Sequence, residues 1–490
     1  MRNPASPLPT VLGLLALASP SFAQVISQVD KLYPGDPSSY DDFGRSVAVS
    51  GNLALVGCVG DDDNGSVAGA AYLIDLATGQ QLHKLVASDG SQVDNFGISV
   101  DIDGSRCIVG AYADDDNGND SGSAYVFDTA TGQQLYKLLP SDGGSADYFG
   151  TAVGISGATA IVGAYRHDDP GVGLDSGAAY TFDLTTGLQI DKIVPGSAQA
   201  DDQFGRSVAI EGFTAVVGAY YRNQSGGAYV IDVLSGTVLG VLVPGDIAQG
   251  DFFGFSVAMN GDRAIVGSPY DDDNGNSSGS AYVYDLTNGF LVDKLLPTDG
   301  GVSQLFGFSV ALQGSTAVIG TPYDDDNGPG SGSAYLFDLD TAQQVDKFVP
   351  ADGVADSRYG WTASISGSTV LVGCYHDDDN GKYSGSTYHY SICPPSLTLD
   401  ANPAVAQLGD PLSYATFGGA AGLPVALAIT QVNGAPTWYL FVTGTFDLQC
   451  KHTIATTVPV GLAGLEITFL SIGFTPTGLQ ASNSEVIQFQ

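Results

Sequence analysis

The chain has 490 residues, 53 acidic and 16 basic side chains, and a formal net charge of −37. A surface this negative repels phosphate backbones and anionic headgroups, which excludes direct nucleic-acid binding and favours cations and basic partners. Hydrophobic residues at 43% exclude wholesale disorder, and 66 glycines with 24 tyrosines and 22 phenylalanines suit an all-β protein rich in turns.

The first 23 residues read as a secretory signal peptide. Arg2 is the positive start, residues 11–18 are a short apolar run, and Ser21-Phe22-Ala23 sets cleavage before Gln24. That run is too short to span a bilayer, and no later uncharged run reaches about 18 apolar residues, so no transmembrane segment is expected. The expected location is secreted or cell surface.

Seven repeats follow. A Phe-Gly or Tyr-Gly pair recurs at Phe43, Phe96, Phe149, Phe204, Phe253, Phe306 and Tyr359, at spacings of 53, 53, 55, 49, 53 and 53. Each repeat holds four short runs rich in Val, Ile, Tyr and Phe, separated by Gly/Asp/Asn turns, which predicts a four-stranded antiparallel unit. Repeated radially, such units make a β-propeller. The seventh repeat stops after its third run, Thr387-Tyr388-His389-Tyr390. Its missing strand is supplied by Gln28-Val29-Asp30-Lys31-Leu32, which matches Gln189-Ile190-Asp191-Lys192-Ile193 of repeat 3. A first strand that completes the last repeat closes a ring, so residues 24–393 are expected to form a seven-bladed β-propeller.

After Cys393 the texture changes. Pro394-Pro395 marks a break, aspartate thins out, and residues 394–490 are expected to form a small β-sandwich domain.

The Phe-Gly-x-Ser-Val-Ala start, the Val-Gly-Ala-Tyr centre and the Ser-Gly-Ser-Ala-Tyr-Val-Phe third run resemble the FG-GAP repeat, as in the headpiece propeller of integrin α-subunits and in secreted bacterial proteins. The resemblance implies adhesion, ligand binding or scaffolding. It does not carry the integrin calcium ligands over. Those lie in a long loop between strands 1 and 2, where this chain has tight turns such as Ser50-Gly51-Asn52 and Asp103-Gly104-Ser105.

Aspartate is concentrated instead between strands 2 and 3. Asp-Asp-Asp-Asn-Gly occurs five times, placing Asp61, Asp62 and Asp63; Asp114, Asp115 and Asp116; Asp271, Asp272 and Asp273; Asp324, Asp325 and Asp326; and Asp377, Asp378 and Asp379 side by side. Adjacent carboxylates repel, and a hard oxygen-coordinated cation relieves this, so these fifteen residues are candidate Ca²⁺ ligands. The competing expectation is a solvated hairpin whose Asn-Gly makes the turn and whose aspartates oppose aggregation. Repeat 3 has His167-Asp168-Asp169-Pro170-Gly171, and repeat 4 has lost the run at Tyr221-Arg222-Asn223. His167 and His376 are read as equivalent loop positions.

In an up-and-down blade, the 2–3 and 4–1 connections share one end, which predicts one long-looped, acidic face. The Phe of each Phe-Gly pair is expected to pack between blades. No zinc spacing or nucleophile elbow in a strand–helix context is present. The functional expectation is therefore a secreted or cell-surface binding module, with an extracellular protein or glycan as ligand and Ca²⁺ on its acidic face. A hydrolase or lyase on the same scaffold and a structural matrix or coat component are the alternatives. Among the cysteines, Cys393 with Cys450 is the expected pair and Cys58 with Cys374 is not.

Overall fold

A computed structural model describes Val25–Cys393 and, in the carboxyl-terminal segment, six short strands. Ile26–Cys393 forms one compact unit, a propeller of seven four-stranded antiparallel blades. Blade 1 runs Phe43–Ser50, Leu53–Cys58, Ala70–Asp75 and Gln80–Leu85 from axis to rim. The innermost strands of neighbouring blades pack on one another around the axis. The only helical turn among the described residues is Arg222–Gln224 in blade 4.

Burial follows from the repeat. The second and third strands are covered on both faces by the adjoining blades, and they read as near-continuous apolar runs such as Ala54, Leu55 and Val56. The outermost strand is half in solvent and mixes polar with apolar residues, as in Gln80–Leu85. Phe43 is fully buried and meets the Tyr72 ring edge-on at 5.6 Å, within a cluster that joins blade 1 to Leu32 and Leu371 of blade 7. The Phe is thus inter-blade core, as expected. Its partner Gly44 has φ +88°, and a Cβ there would lie 2.3 Å from the Ser386 carbonyl oxygen, so only glycine fits.

Closure is as the repeat offset requires. Val25–Leu32 is the outermost strand of blade 7, hydrogen-bonded to Ser386–Cys393. Cys58 and Cys374 are free and buried, their thiols facing the carbonyls of Asp41 and Ser357.

In the carboxyl-terminal segment, Thr443–Phe446 pairs with His452–Ala455, Glu466–Phe469 with Glu485–Gln488, and Ile472–Thr475 with Gly478–Ala481, all antiparallel. The rest of the expected sandwich, the signal peptide of residues 1–23 and Cys450 lie outside the described residues.

Candidate functional site

The 2–3 and 4–1 loops do emerge on one face, and they are tied to each other. Val93, Asn95 and Phe96, entering blade 2, donate backbone N–H groups to Ser66, Val67 and Ala68 of blade 1. The same three-bond pattern recurs at every junction except that between blades 4 and 5, which has two such bonds. Two residues per entry loop, such as Tyr40 and Asp42 or Ala146 and Tyr148, are held at positive φ without being glycine, except at blade 5, where Gly250 accompanies Phe252. Side chains resist that conformation, so the lacing must over-determine it. The result is a continuous ring of fixed loops rather than seven free hairpins. The Asn-Gly pair ends a tight turn and does not form its centre: Gly65 donates its N–H to the Asp62 carbonyl at 3.0 Å, and of the two only Gly65 has positive φ.

Within each Asp-Asp-Asp run the three carboxylates do different jobs. The first is buried: Asp61, Asp114, Asp271, Asp324 and Asp377 are each 7% exposed or less. It accepts the backbone N–H of the third aspartate and the hydroxyl of the third-strand tyrosine, as Asp271 does from Asp273 at 3.0 Å and Tyr282 at 2.7 Å. The second accepts the N–H five residues on, as Asp272 does from Ser277 at 2.7 Å, closing the loop. The third is exposed and turns back towards the first.

What they converge on is a lysine. Lys84, on the outermost strand, places its ammonium 2.8, 2.7 and 2.6 Å from Asp36, Asp61 and Asp63, and 5.4 Å above the ring of Tyr72, its cross-strand partner. The cluster recurs around Lys31, Lys137, Lys294 and Lys347, with nitrogen–oxygen distances of 2.5–3.0 Å. Burial opposes the charge on Lys84, but hydrogen bonds to three carboxylates outweigh it and hold the ammonium above its usual range. In blade 3, His167 takes the first aspartate's place. Its Nδ1 lies 2.8 Å from Asp147 and its Nε2 2.9 Å from Lys192, so the ring bridges opposite charges. His376 is not its equivalent: it precedes Asp377 and stacks on Tyr383 at 4.0 Å.

Blade 4 departs from this pattern. Val241 stands where the lysine would, opposite Tyr229, and Ser197 stands where Asp36 or Asp89 would. Arg222 reaches in from the 2–3 loop and donates Nε–H to the Tyr229 hydroxyl at 2.9 Å.

A second feature lies at the axial mouth of the same face. The residue after each Phe-Gly pair is half-buried and lines the channel: Arg45, Ile98, Thr151, Arg206, Phe255, Phe308 and Trp361. Phe255, Phe308 and Trp361 form an arc of tilted rings with centroids 4.9 and 4.4 Å apart. Arg206 lies 4.5 Å over Phe255 at one end and Arg45 lies 4.4 Å over Trp361 at the other. Outside this tier, Tyr148 meets Tyr112 edge-on and Tyr165 at a tilt, and Phe252 meets Tyr270 at 5.1 Å. Between the loops of blades 5–7 a cleft of about 500 Å³ opens beside Tyr323, Asp325 and the Asp356–Arg358 ion pair.

A seven-bladed propeller with one laced, long-looped face and an aromatic mouth is the class of protein these residues build. The FG-GAP repeat model matches residues 26–74, 80–127, 133–182, 188–231, 238–284, 290–337 and 342–390, so the chain belongs to the FG-GAP repeat family. Each match starts on an outermost strand and ends on the third strand of the next blade, the same one-strand offset that closes the ring. No curated protein matches the chain. Among the described residues, no helix is long and apolar enough to cross a membrane.

Proposed function

We propose that the protein is a secreted or cell-surface binding and adhesion module whose long-looped face engages an extracellular protein or glycan. The observation that carries this reading is the laced loop ring, which presents side chains from every blade on a fixed surface. Fixed loops lose little entropy on association, which favours binding. Exposed apolar side chains on these loops support it: Tyr40, Val93, Leu174, Val302 and Val354 are each more than half exposed, and apolar groups gathered on one face mark interaction surfaces.

The test is an array of extracellular proteins and glycans probed with wild type, with a V93D/V302D/V354D variant, and with a control carrying Phe290→Asp on an outermost strand. Loss of a wild-type ligand only in the loop variant, with melting unchanged, supports the face. Loss only in the outer-strand control overturns it.

Calcium at the aspartate runs is a second reading, favoured by the convergence of Asp36, Asp61 and Asp63 oxygens within 4.8 Å of one another. The donor set suits a hard cation, but Lys84 already supplies a positive charge among the three, so calcium must displace it. Melting with Ca²⁺ against Mg²⁺ at matched ionic strength tests this. A calcium-specific rise that D271N/D273N abolishes supports a site, and equal effects of the two ions mean screening alone.

A further inference from the structure

Arg45 and Arg206 form no hydrogen bond or ion pair through their guanidinium groups among the described residues, although the chain carries 53 acidic side chains. Many of the other cations are ion-paired: the six outer-strand lysines each hold two or three carboxylates, and Arg263 and Arg358 each hold one, whereas Arg166 and Lys382 lie over tyrosine rings on the loops. The flat faces of both groups are spoken for, Arg45 by Trp361 and Tyr375, Arg206 by Phe255, Tyr165 and Tyr220. Their N–H edges are not, and a guanidinium has five such donors in a fork that matches a carboxylate.

Position sharpens this. The two arginines come from blades 1 and 4, on either side of the channel, at the ends of the aromatic arc. On the shorter side, blades 2 and 3 contribute only Ile98 and Thr151 to the same tier. Tyr112, Tyr148 and Tyr165 of the same two blades flank this side, and both arginines keep part of their surface exposed. Each guanidinium is depressed below its ordinary range, first by burial, and Arg45 further by the charge of Arg206. Asp42 is the nearby carboxylate that acts on Arg45, and its own acid is pushed up to about 6, chiefly by burial.

We propose that the axial mouth binds a carboxylate carried on an apolar or aromatic body, the acid group set between Arg45 and Arg206 and the body against Phe255, Phe308 and Trp361. A polyanion is disfavoured, because its remaining charges would face the acidic loop ring, whereas a single carboxylate reaches only the arginines. The acid can come from a free aryl carboxylate or from the carboxyl terminus of a peptide, and the chemistry at the arginines is the same for both. The proposal rests on the binding role assigned to this face and names the chemistry at its centre.

The test is titration of the full chain with phenylacetate, with N-acetyl-Gly-Gly-Phe as the free acid, and with the same peptide as its amide. Trp361 fluorescence and calorimetry are the readouts. The acid form should bind at least about tenfold more tightly than the amide, since charge-assisted bonds are lost. Phenylacetate binding as well as the peptide acid assigns the site to small acids, and peptide binding alone assigns it to chain termini. R45Q/R206Q should lose the preference for the acid, and R45K/R206K should keep part of it, with melting followed for both. Equal binding of acid and amide, or no binding of either acid, overturns the proposal. If array ligands still bind R45Q/R206Q as they bind wild type, the role of the face stands and the axial site alone falls.

Discussion

Blade 4 and the other six blades reach the same backbone by different electrostatic means. In blade 5 a buried carboxylate, Asp271, is answered by Lys294 and Tyr282. In blade 4 the counterparts of Asp271, Lys294 and Asp246 are absent together, although the buried entry-loop Asp202 remains, and Tyr229 is satisfied by Arg222 and Ser197. The strands and their pairing are unaffected. The charge cluster therefore does not specify the blade; apolar strands and the Phe-Gly packing do. Its members depend on one another, because a buried ion pair is costly mainly when one partner is removed. Blade 3 keeps the lysine and two carboxylates with His167 in the buried aspartate's place, and blade 4 lacks the whole set.

Ways to break this comparison run from large effects to small. Removing residues 24–35 takes the outermost strand from blade 7 and Lys31 from its cluster at once. It should cost more stability than any point variant, read as the drop in melting temperature. Lys294→Met leaves Asp271 buried and unpaired and should cost about 3–5 kcal/mol by denaturant titration. Adding Asp271→Asn and Asp273→Asn to it should recover part of that loss, and no recovery would mean that the charges are not interdependent. Tyr282→Phe removes one donor to the same carboxylate and should cost about 1–2 kcal/mol. The smallest change is expected in blade 4, where Ser197→Asp with Val241→Lys builds a half-exposed pair worth no more than about 1 kcal/mol.

A pH dependence sharpens the comparison. Asp41 and Asp94, in the entry loops of blades 1 and 2, are pushed up to about 6, first by burial and then by neighbouring aspartates. The folded chain keeps these protons where the unfolded chain has released them, so their contribution to stability falls as pH rises from about 4 to 6. Asp36, Asp89 and Asp271 are held below their usual range: burial opposes this, but hydrogen bonds to lysine and tyrosine prevail. Their contribution is present above the unfolded value and is lost as pH falls through the folded one. Melting should therefore be highest in between, higher at pH 5 than at pH 7.5. Asp94→Asn should narrow that difference. Blades 6 and 7 already use neutral acceptors at this place, Gln304 for the Gly301 N–H and Ser357 for Val354.

Much of this architecture was legible in the repeat. Seven Phe-Gly pairs gave the blade count, and the match of Gln28–Leu32 to an outer strand gave the closure, because both are periodic signals. The aspartate runs were legible as clusters, but their division into buried, capping and exposed members depends on which way the chain turns after the second strand. The lysine was visible too, at a constant place in six outer strands. Its absence at Val241 coincides with the lost run in repeat 4, a covariation between loops and strands that becomes meaningful only once both are known to meet. The axial mouth was least legible. The residue after Phe-Gly is Arg, Ile, Thr, Arg, Phe, Phe and Trp in turn. A repeat is recognised by what its copies share, whereas a channel lining is made by what they do not.

The closing strand has a consequence in time. Lys31 bonds to Asp352 and Asp379 across 321 and 348 residues of sequence, so the first strand synthesised must wait for almost the whole ring before its partner exists. Such distant pairing is slow, and blade 7 should be the last to form. Until then Val25–Leu32 is an unpaired edge, and Asp30 and Lys31 within it are the charges that discourage a wrong neighbour from pairing there first.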